Sequence, residues 1–351
     1  MASAGIFYSL MVLSLLAPIV LYIVSYMGAV QTQGEQMTVK FEGIELANYA
    51  DSIALDVPRV LDIASKRGII AVIDYADTNG RGVNDSESEL KHLILYNNFT
   101  TGSDAPIMLN SSFANWIRST ELIGWDHGFI ANITVRNLKI NYTNPFTLNF
   151  TIELQANISD RMGDMKLFRI YNATTLVPIE GFTDPLYPLN TRGLVERTIR
   201  RANSTIFGPT AVSDMINNSW YFNNSDAPSF LERLQGCTDP YDGSPYRDPY
   251  PSHNCTGKYP GMGIESFVYL PELLSRLCTP TPGFGSVCPP DIVKQNATMV
   301  DHAYFNITDY TDLTKFAPGW NVTGVTQGTN DWFKMDYPHN NTYGVELYPY
   351  P

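Results

Sequence analysis

Residues Phe146–Ser159, FTLNFTIELQANIS, alternate apolar and polar side chains along almost their whole length. This period of two is typical of a β-strand with one buried and one solvent-facing side. The stretches 129–143 and 165–181 have a similar composition and are separated from the first by the turn sequences TNP and DRMGD. The sequence therefore predicts an antiparallel β-meander within 127–185, with one apolar face formed by Phe146, Leu148, Phe150, Ile152 and Leu154.

Residues 34–126 precede the meander and have helical periodicity. Ile53, Val57 and Leu61 recur at intervals of four, and charged side chains lie between them. Pro58 falls inside this pattern and predicts a kink or a restart of the helix. Two further helices are predicted, one after the acidic opening DSESE and one at Ser112–Leu122.

The chain begins with an uncharged and strongly apolar stretch. The first charged residue is Glu35, and Ile6–Val30 is 25 residues of almost continuous apolar side chains with Pro18 near its middle. A helix of this length reaches about 37 Å, which exceeds the roughly 30 Å of a bilayer's hydrocarbon core. A cleaved secretory signal is the alternative, but the stretch is long for one and no basic residue precedes it. We therefore predict a transmembrane anchor at 1–33, with the lipid bilayer as a partner.

Asn-x-Ser/Thr sequences, the acceptors of N-linked glycans, are unusually frequent. Sixteen of the 27 asparagines form one, whereas the serine and threonine content predicts about four. The array predicts a glycoprotein of the cell membrane, single-pass, with the C-terminal bulk extracellular. The acceptors are Asn84, Asn98, Asn110, Asn132, Asn141, Asn149, Asn157, Asn172, Asn203, Asn217, Asn223, Asn254, Asn296, Asn306, Asn321 and Asn340.

The C-terminal region, 186–351, is rich in Tyr, Pro and Asn and contains all four cysteines, Cys237, Cys255, Cys278 and Cys288. An even number of cysteines in an exported chain predicts two disulfides, and all three pairings remain open. Their spacing includes no Cys-x-x-Cys pair, which disfavours the alternative of a zinc site. Short helices are predicted at 193–203, 229–236 and 265–276. The predicted fold class is thus α+β, with a transmembrane helix, amphipathic helices, an antiparallel meander and an irregular disulfide-stapled C-terminal region.

The chemistry-bearing residues form no recognisable catalytic pattern. The five histidines are far apart, and no nucleophile elbow or phosphate-binding loop occurs. The net charge of −12 disfavours nucleic acid as a partner. One loop offers oxygen ligands at Asp77, Asn79 and Asp85, which suggests Ca²⁺ as a possible cofactor. The alternative for that loop is a helix C-terminal turn followed by an N-cap.

An apolar helix with a central proline at Ile6–Val30, an amphipathic helix around Ala47–Ala76 and a following sheet resemble the layout of type IV pilin-like proteins. The glycosylation sites are also similar to those of membrane-anchored archaeal surface proteins. The resemblance implies a non-enzymatic structural or minor pilin-like subunit of a cell-surface assembly, with other envelope or pilus-like subunits as partners. An extracellular adhesin or ligand-binding module is the alternative, and a cell-surface hydrolase is a third.

Overall fold

The structure is a computed structural model that describes residues 2–191, 193–202, 214–216, 218–225, 227–238, 258–269, 297–305, 320–321 and 332–334. It is α+β with an antiparallel sheet. The chain divides into two compact units, each of which is described by itself. The first unit comprises 1–56, 119–134 and 154–171, and the second comprises 57–118, 135–153 and 172–351.

The first 78 described residues form a single helix, α1, Ala2–Asn79. The helix is continuous through Pro18 and through Pro58, so the restart considered at Pro58 does not occur. A proline inside a helix removes one hydrogen bond and crowds the carbonyl four residues earlier, but beside Pro58 the buried Val57 and Leu61 hold the helix in place. The stretches predicted as separate elements are therefore parts of one helix of 78 residues.

The predicted transmembrane anchor is wrong. In the described part of the chain, no helix has the combination of length and apolar character that crossing a bilayer requires. The apolar stretch is not a helix of its own, because α1 continues beyond it through charged sequence to Asn79. This finding overturns the anchor at 1–33, the single-pass topology and the location in the cell membrane with an extracellular bulk.

Two shorter helices follow α1. Helix α2, Ser86–Tyr96, begins where the Asp85 carboxylate accepts a hydrogen bond from the Ser88 backbone N–H at 3.1 Å. Its end is marked by Asn97 in the left-handed region, with φ of 66°. A 3₁₀ turn, Pro106–Met108, leads to α3, Phe113–Asp126. The two helices predicted between α1 and the meander are thus confirmed.

The meander consists of β1, Phe129–Asn144, β2, Thr147–Asp160, and β3, Lys166–Pro178, in the sheet order β1-β2-β3. Burial alternates along β2 as predicted, and the predicted apolar face, formed by Phe146 just before the strand and by Leu148, Phe150, Ile152 and Leu154 within it, is at most 3 % exposed. The Asn144 side chain accepts from the Phe146 N–H at 2.9 Å in the first turn. In the second turn the Asp160 carboxylate accepts from two backbone N–H groups. Both predicted turn sequences therefore close the strands by side-chain capping.

In the first unit, α1 contacts α3 and the strands through tyrosines. The Tyr49 hydroxyl donates to the Thr120 carbonyl at 2.7 Å, and its ring stacks on Phe129 with the ring centroids 5.7 Å apart. The Tyr171 hydroxyl donates to the Ala50 carbonyl at 2.9 Å. Gly124 makes room for the side chain of Tyr49, because a Cβ at position 124 would lie 2.7 Å from the Tyr49 oxygen.

The second unit contains a five-stranded sheet of short strands in the order β4-β5-β6-β8-β7. Strands β6 and β8 are parallel and the other pairs are antiparallel. Three short helices, α4, α5 and α6, accompany it. In chain order these elements are α4, Leu186–Thr191; β4, Tyr221–Asn223; α5, Phe230–Leu234; β5, Ile264–Tyr269; β6, Ala297–Val300; α6, Asp301–Phe305; β7, Trp320–Asn321; and β8, Trp332–Lys334.

Of the three short helices predicted in 186–351, one is confirmed. The helix predicted at 229–236 is α5. The described part of 193–203 is instead a loop, which makes β-bridges at Thr198 and Arg201. Residues 264–269 form β5, because a short run that is buried without a helical period suits a strand as well as a helix; 270–276 lie outside the described residues.

No disulfide that joins two described cysteines is found, which overturns the disulfide-stapled C-terminal region of the predicted fold class within the part of the chain that the structure describes. Cys237 lies there, fully buried three residues after the end of α5, and is itself disulfide-bonded. Cys255, Cys278 and Cys288 lie outside the described residues, and so does the pairing predicted for them. The described segments are also held together by the buried charges around Arg233.

Candidate functional site

The apolar segment of α1, residues 11–31, is exposed along its length in the part of the chain that the structure describes. Every side chain that is described in it is exposed. Twelve large apolar residues there expose 49–70 % of their surface: Met11, Val12, Leu16, Ile19, Val20, Leu21, Tyr22, Ile23, Val24, Tyr26, Met27 and Val30. Because six consecutive residues, 19–24, belong to this set, apolar side chains face outward on every side of the helix.

This exposure is unusual for a folded chain. A helix that is apolar all round is ordinarily buried, and folded monomers seldom expose continuous apolar patches beyond a few hundred Å². The segment also carries no charged residue. The rings of Tyr22 and Tyr26 stack on each other at 6.3 Å, so they add a flat aromatic ridge. A surface of this kind suits close packing against several apolar neighbours.

The predicted glycan acceptors are distributed over both units. Seven of them are exposed: Asn84, Asn110, Asn132, Asn141, Asn157, Asn172 and Asn223. Asn98 and Asn149 are half-buried, and the Asn149 amide oxygen is enclosed without a hydrogen-bond partner. Asn321 lies in β7, and Asn203, Asn217, Asn254, Asn296, Asn306 and Asn340 lie outside the described residues. Glycosylation stays a prediction.

The proposed calcium ligands belong to two helix ends. Asn79 is the last residue of α1, and its side-chain amide donates to the Tyr75 carbonyl at 2.8 Å. Asp77 is exposed on the last turn of α1, and Asp85 caps α2. The turn-plus-N-cap alternative therefore describes this loop. Within the described ranges no three His, Cys, Asp or Glu side chains are grouped to hold a metal ion, and Ca²⁺ binding stays a prediction.

A buried charge cluster lies at the centre of the second unit. Arg233 of α5 is fully buried, and its guanidinium contacts Asp184 at 2.6 Å and Asp301 at 3.0 and 3.1 Å. Both carboxylates are also fully buried. The guanidinium donates in addition to the Ile264 carbonyl. One arginine thus joins the segment before α4, helix α5, strand β5 and the start of α6.

Further donors complete the cluster. The Tyr221 hydroxyl donates to Asp184 at 2.8 Å, and the Ser266 N–H and hydroxyl donate to Asp301 at 3.0 and 2.8 Å. Burial raises the pKa of Asp184 above its ordinary value, although Arg233 beside it has the opposite effect. Burial alone would lower the pKa of Arg233, but the two carboxylates raise it above its ordinary value. Such a hydrogen-bonded cluster fixes the arrangement of its segments.

A small cavity lies beside this cluster, where α2 and α5 approach each other. We call it the acidic cavity; it has a volume of about 100 Å³ and is lined by Asn84, Asp85, Glu87, Glu232, Gln235, Lys258 and Tyr259. The backbone brings the two helices together there, because the Val83 N–H donates to the Leu234 carbonyl at 3.2 Å. Gly82 permits this approach, since a Cβ at that position would lie 2.3 Å from the Gln235 carbonyl carbon.

One carboxylate of the acidic cavity, that of Glu87, accepts hydrogen bonds from three side chains. Glu87 accepts hydrogen bonds from Lys91 at 2.6 Å, from the Tyr259 hydroxyl at 2.6 Å and from Lys258. Burial alone would raise the pKa of Glu87, but these donors lower it to about 2. Glu87 is therefore ionised at neutral pH, and its charge is balanced by the two lysines.

A second carboxylate of the acidic cavity, that of Glu232, accepts hydrogen bonds at one of its two oxygens. Glu232 is 4 % exposed, and its Oε2 accepts from the Ser229 N–H at 2.8 Å and the Ser229 hydroxyl at 2.7 Å. Its Oε1 is buried and has no hydrogen-bond partner among the described residues. Burial raises the pKa of Glu232, although the Ser229 donors and the nearby Lys258 backbone N–H lower it. An uncompensated buried carboxylate oxygen is costly, so it marks a place where a donor is missing.

Comparisons with protein-family models, with characterised proteins and with solved structures find no match to this chain.

Sequence reasoning found the apolar segment but not the buried cluster or the acidic cavity. Of their residues it singled out only Asn84 and Asp85, as a glycan acceptor and a calcium ligand. A readable signal existed at Ser229 and Glu232, because the spacing S-x-x-E is that of a capping box, and the structure forms one. The contacts of Arg233 with Asp184 and Asp301 join residues 49 and 68 positions apart and leave no local pattern.

Proposed function

We propose that this protein is a structural subunit of an assembly of its own copies, and that the apolar segment of α1 is the surface through which the copies associate. The observation that carries the proposal is the exposure of twelve large apolar side chains around the full circumference of one helix. Leaving such a surface in water costs about 25 cal/mol per Å² of apolar area. Association removes that area from water.

The distribution of the exposed residues favours several neighbours over one. A two-helix seam covers a narrow stripe of each helix, whereas residues 19–24 of this segment point in every direction. The segment carries no charge that packing would have to bury. Its surroundings in the assembly are therefore identical segments from more than one neighbouring copy, as the pilin-like layout of the sequence also implies. The role is structural and requires no catalytic centre.

Sedimentation velocity of the full chain in aqueous buffer tests this proposal. We expect the unaltered protein to form a discrete species larger than a dimer, and the double variant Leu21→Asp with Val24→Asp to sediment as a monomer. The residues exchanged are 67 and 61 % exposed, so the folded units lose no buried contact.

Met162→Asp with Leu109→Asp is the matched control. It adds the same two charges at apolar residues that are 88 and 65 % exposed elsewhere in the chain, and it should assemble as the unaltered protein does. The proposal is refuted by an unaltered chain that is monomeric at all concentrations, or by equal loss of assembly in the variant and the control.

A further inference from the structure

The acidic cavity described above lacks a hydrogen-bond donor at one defined atom, Glu232 Oε1. Asp85, Glu87 and Glu232 contribute three carboxylates to the lining and Lys258 contributes one ammonium. That ammonium is already bonded to Glu87. The lining therefore carries a net negative charge near Asp85 and Glu232, which disfavours the binding of an anion and favours the binding of a cation.

The size and the geometry of the lining select the kind of cation. The described carboxylates do not converge as a group of three ligands that would hold a metal ion. A protonated amine instead carries several N–H donors in different directions, which can reach separated acceptors. A cavity of about 150 Å³ holds a benzene molecule, which has six heavy atoms. The acidic cavity, at about 100 Å³, therefore has room for a ligand of roughly four heavy atoms.

We propose that the acidic cavity binds a protonated primary amine, with the ammonium donating to Glu232 Oε1 and to Asp85. The amide side chains of Asn84 and Gln235, which also line the cavity, provide further polar contacts. The alkyl part of the ligand lies against the ring of Tyr259. That ring is itself held in place by an edge-to-face contact with Tyr142 at 5.0 Å.

Two kinds of ligand carry a protonated primary amine: a free alkylamine and the side chain of a lysine. Equilibrium dialysis of the full chain against radiolabelled propylammonium, at constant ionic strength, measures the shared interaction. We expect saturable binding of one propylammonium per chain. Tetramethylammonium, a cation without N–H donors, should not displace it. Displacement by Nα-acetyl-lysine amide at lower concentration than by unlabelled propylamine assigns the site to lysine side chains, and the reverse order assigns it to free amines.

Glu232→Gln and Asp85→Asn are the informative variants. Each removes one negative charge from the cavity, and each should weaken propylammonium binding at least tenfold. Glu232→Gln retains an oxygen that can accept from Ser229, and Asp85→Asn retains an N-capping oxygen, so both keep the helix ends formed. Asp62→Asn is the matched control, because it removes the same charge from an exposed ion pair with Lys66 outside the cavity, and its affinity should be unchanged.

Circular dichroism of each variant separates loss of the site from loss of the fold. The proposal is overturned if propylammonium does not bind saturably, if tetramethylammonium displaces it equally well, or if folded Glu232→Gln and Asp85→Asn bind as tightly as the control. None of these readouts depends on assembly through α1, since the dialysis counts bound amine per chain.

Discussion

Arg233 is completely buried and holds two carboxylates that are buried with it. Desolvating three charges is expensive, and the mutual attraction offsets that cost only while every partner is present. Removing the arginine leaves Asp184 and Asp301 facing each other without a counter-charge. The cluster therefore makes the second unit sensitive to a single substitution.

We expect Arg233→Ala to lower the free energy of unfolding by about 3–5 kcal/mol, as is typical when one partner of a buried ion pair is removed. Arg136→Ala is the control, because Arg136 pairs with Glu153 on the surface, with side chains 48 and 36 % exposed. Its loss should cost less than about 1 kcal/mol. Denaturant titration of both variants provides the comparison, and equal losses would contradict a special role for Arg233.

Glu87 makes stability depend on acidic pH. Its pKa is lowered from 4.5 to about 2 in the folded state, so its contribution is complete above pH 4.5 and is lost as the pH falls towards 2. Because solvent partly screens the site, we expect ionised Glu87 to contribute about 1 kcal/mol to the free energy of unfolding. Glu87→Gln should be less stable than the unaltered protein by that amount at pH 7 and equally stable near pH 2. A difference that stays constant between these pH values would contradict the assignment.

Three predicted glycan acceptors of the meander differ in how exposed their side chains are. Asn141 and Asn157 are exposed, whereas Asn149 is half-buried with its amide oxygen enclosed. We expect glycopeptide mass spectrometry of the protein from its native source to find glycans on Asn141 and Asn157 and little or none on Asn149. Equal occupancy of all three would show that accessibility in the folded chain does not control modification.

At the scale of elements, two glycines test how the second unit is packed. Gly82→Ala places a methyl group 2.3 Å from the Gln235 backbone, so α2 and α5 have to separate and the protein should lose stability, by about 1–3 kcal/mol. Gly68→Ala, inside α1, meets only ordinary contacts at 3.5 and 3.7 Å and should gain up to about 1 kcal/mol from helix propensity. Thermal unfolding measures both, and a stable Gly82→Ala variant would contradict the close approach.

Strand β2 was predictable because its alternation is regular over 14 residues and the turns on both sides have capping side chains. Strand β5 was not, because Ile264–Val268 are buried without alternation and a short buried run has no period of its own. The unity of α1 was missed for another reason. Prolines argue locally against a helix, while burial of Val57 and Leu61, which depends on the fold, stabilises it.

At the scale of the whole molecule, the apolar segment was visible in the sequence but its role was misassigned. Uncharged apolar sequence over 6–30 is compatible with a bilayer or with other protein as its surroundings, and composition alone does not separate the two. The structure makes the segment the start of one long helix with exposed side chains on all sides. The acidic cavity, in contrast, is assembled from residues 84–87, 232–235 and 258–259 and had no sequence signature.

Crosslinking between copies tests the central claim that the apolar segments pack against one another. A photoreactive p-benzoylphenylalanine replaces Tyr22, which is 70 % exposed, and Phe168, which is 57 % exposed on β3, is replaced in the control. Chains labelled with ¹⁴N and ¹⁵N are mixed under denaturing conditions, refolded together and irradiated. Lys40 is the first lysine or arginine of the chain, so trypsin releases residues 1–40 as one peptide. We predict mixed-isotope crosslinks that join two such peptides from position 22 and no mixed-isotope crosslinks from position 168; crosslinks confined to single chains, or equal yields of mixed-isotope crosslinks at both positions, would contradict packing through the apolar segments.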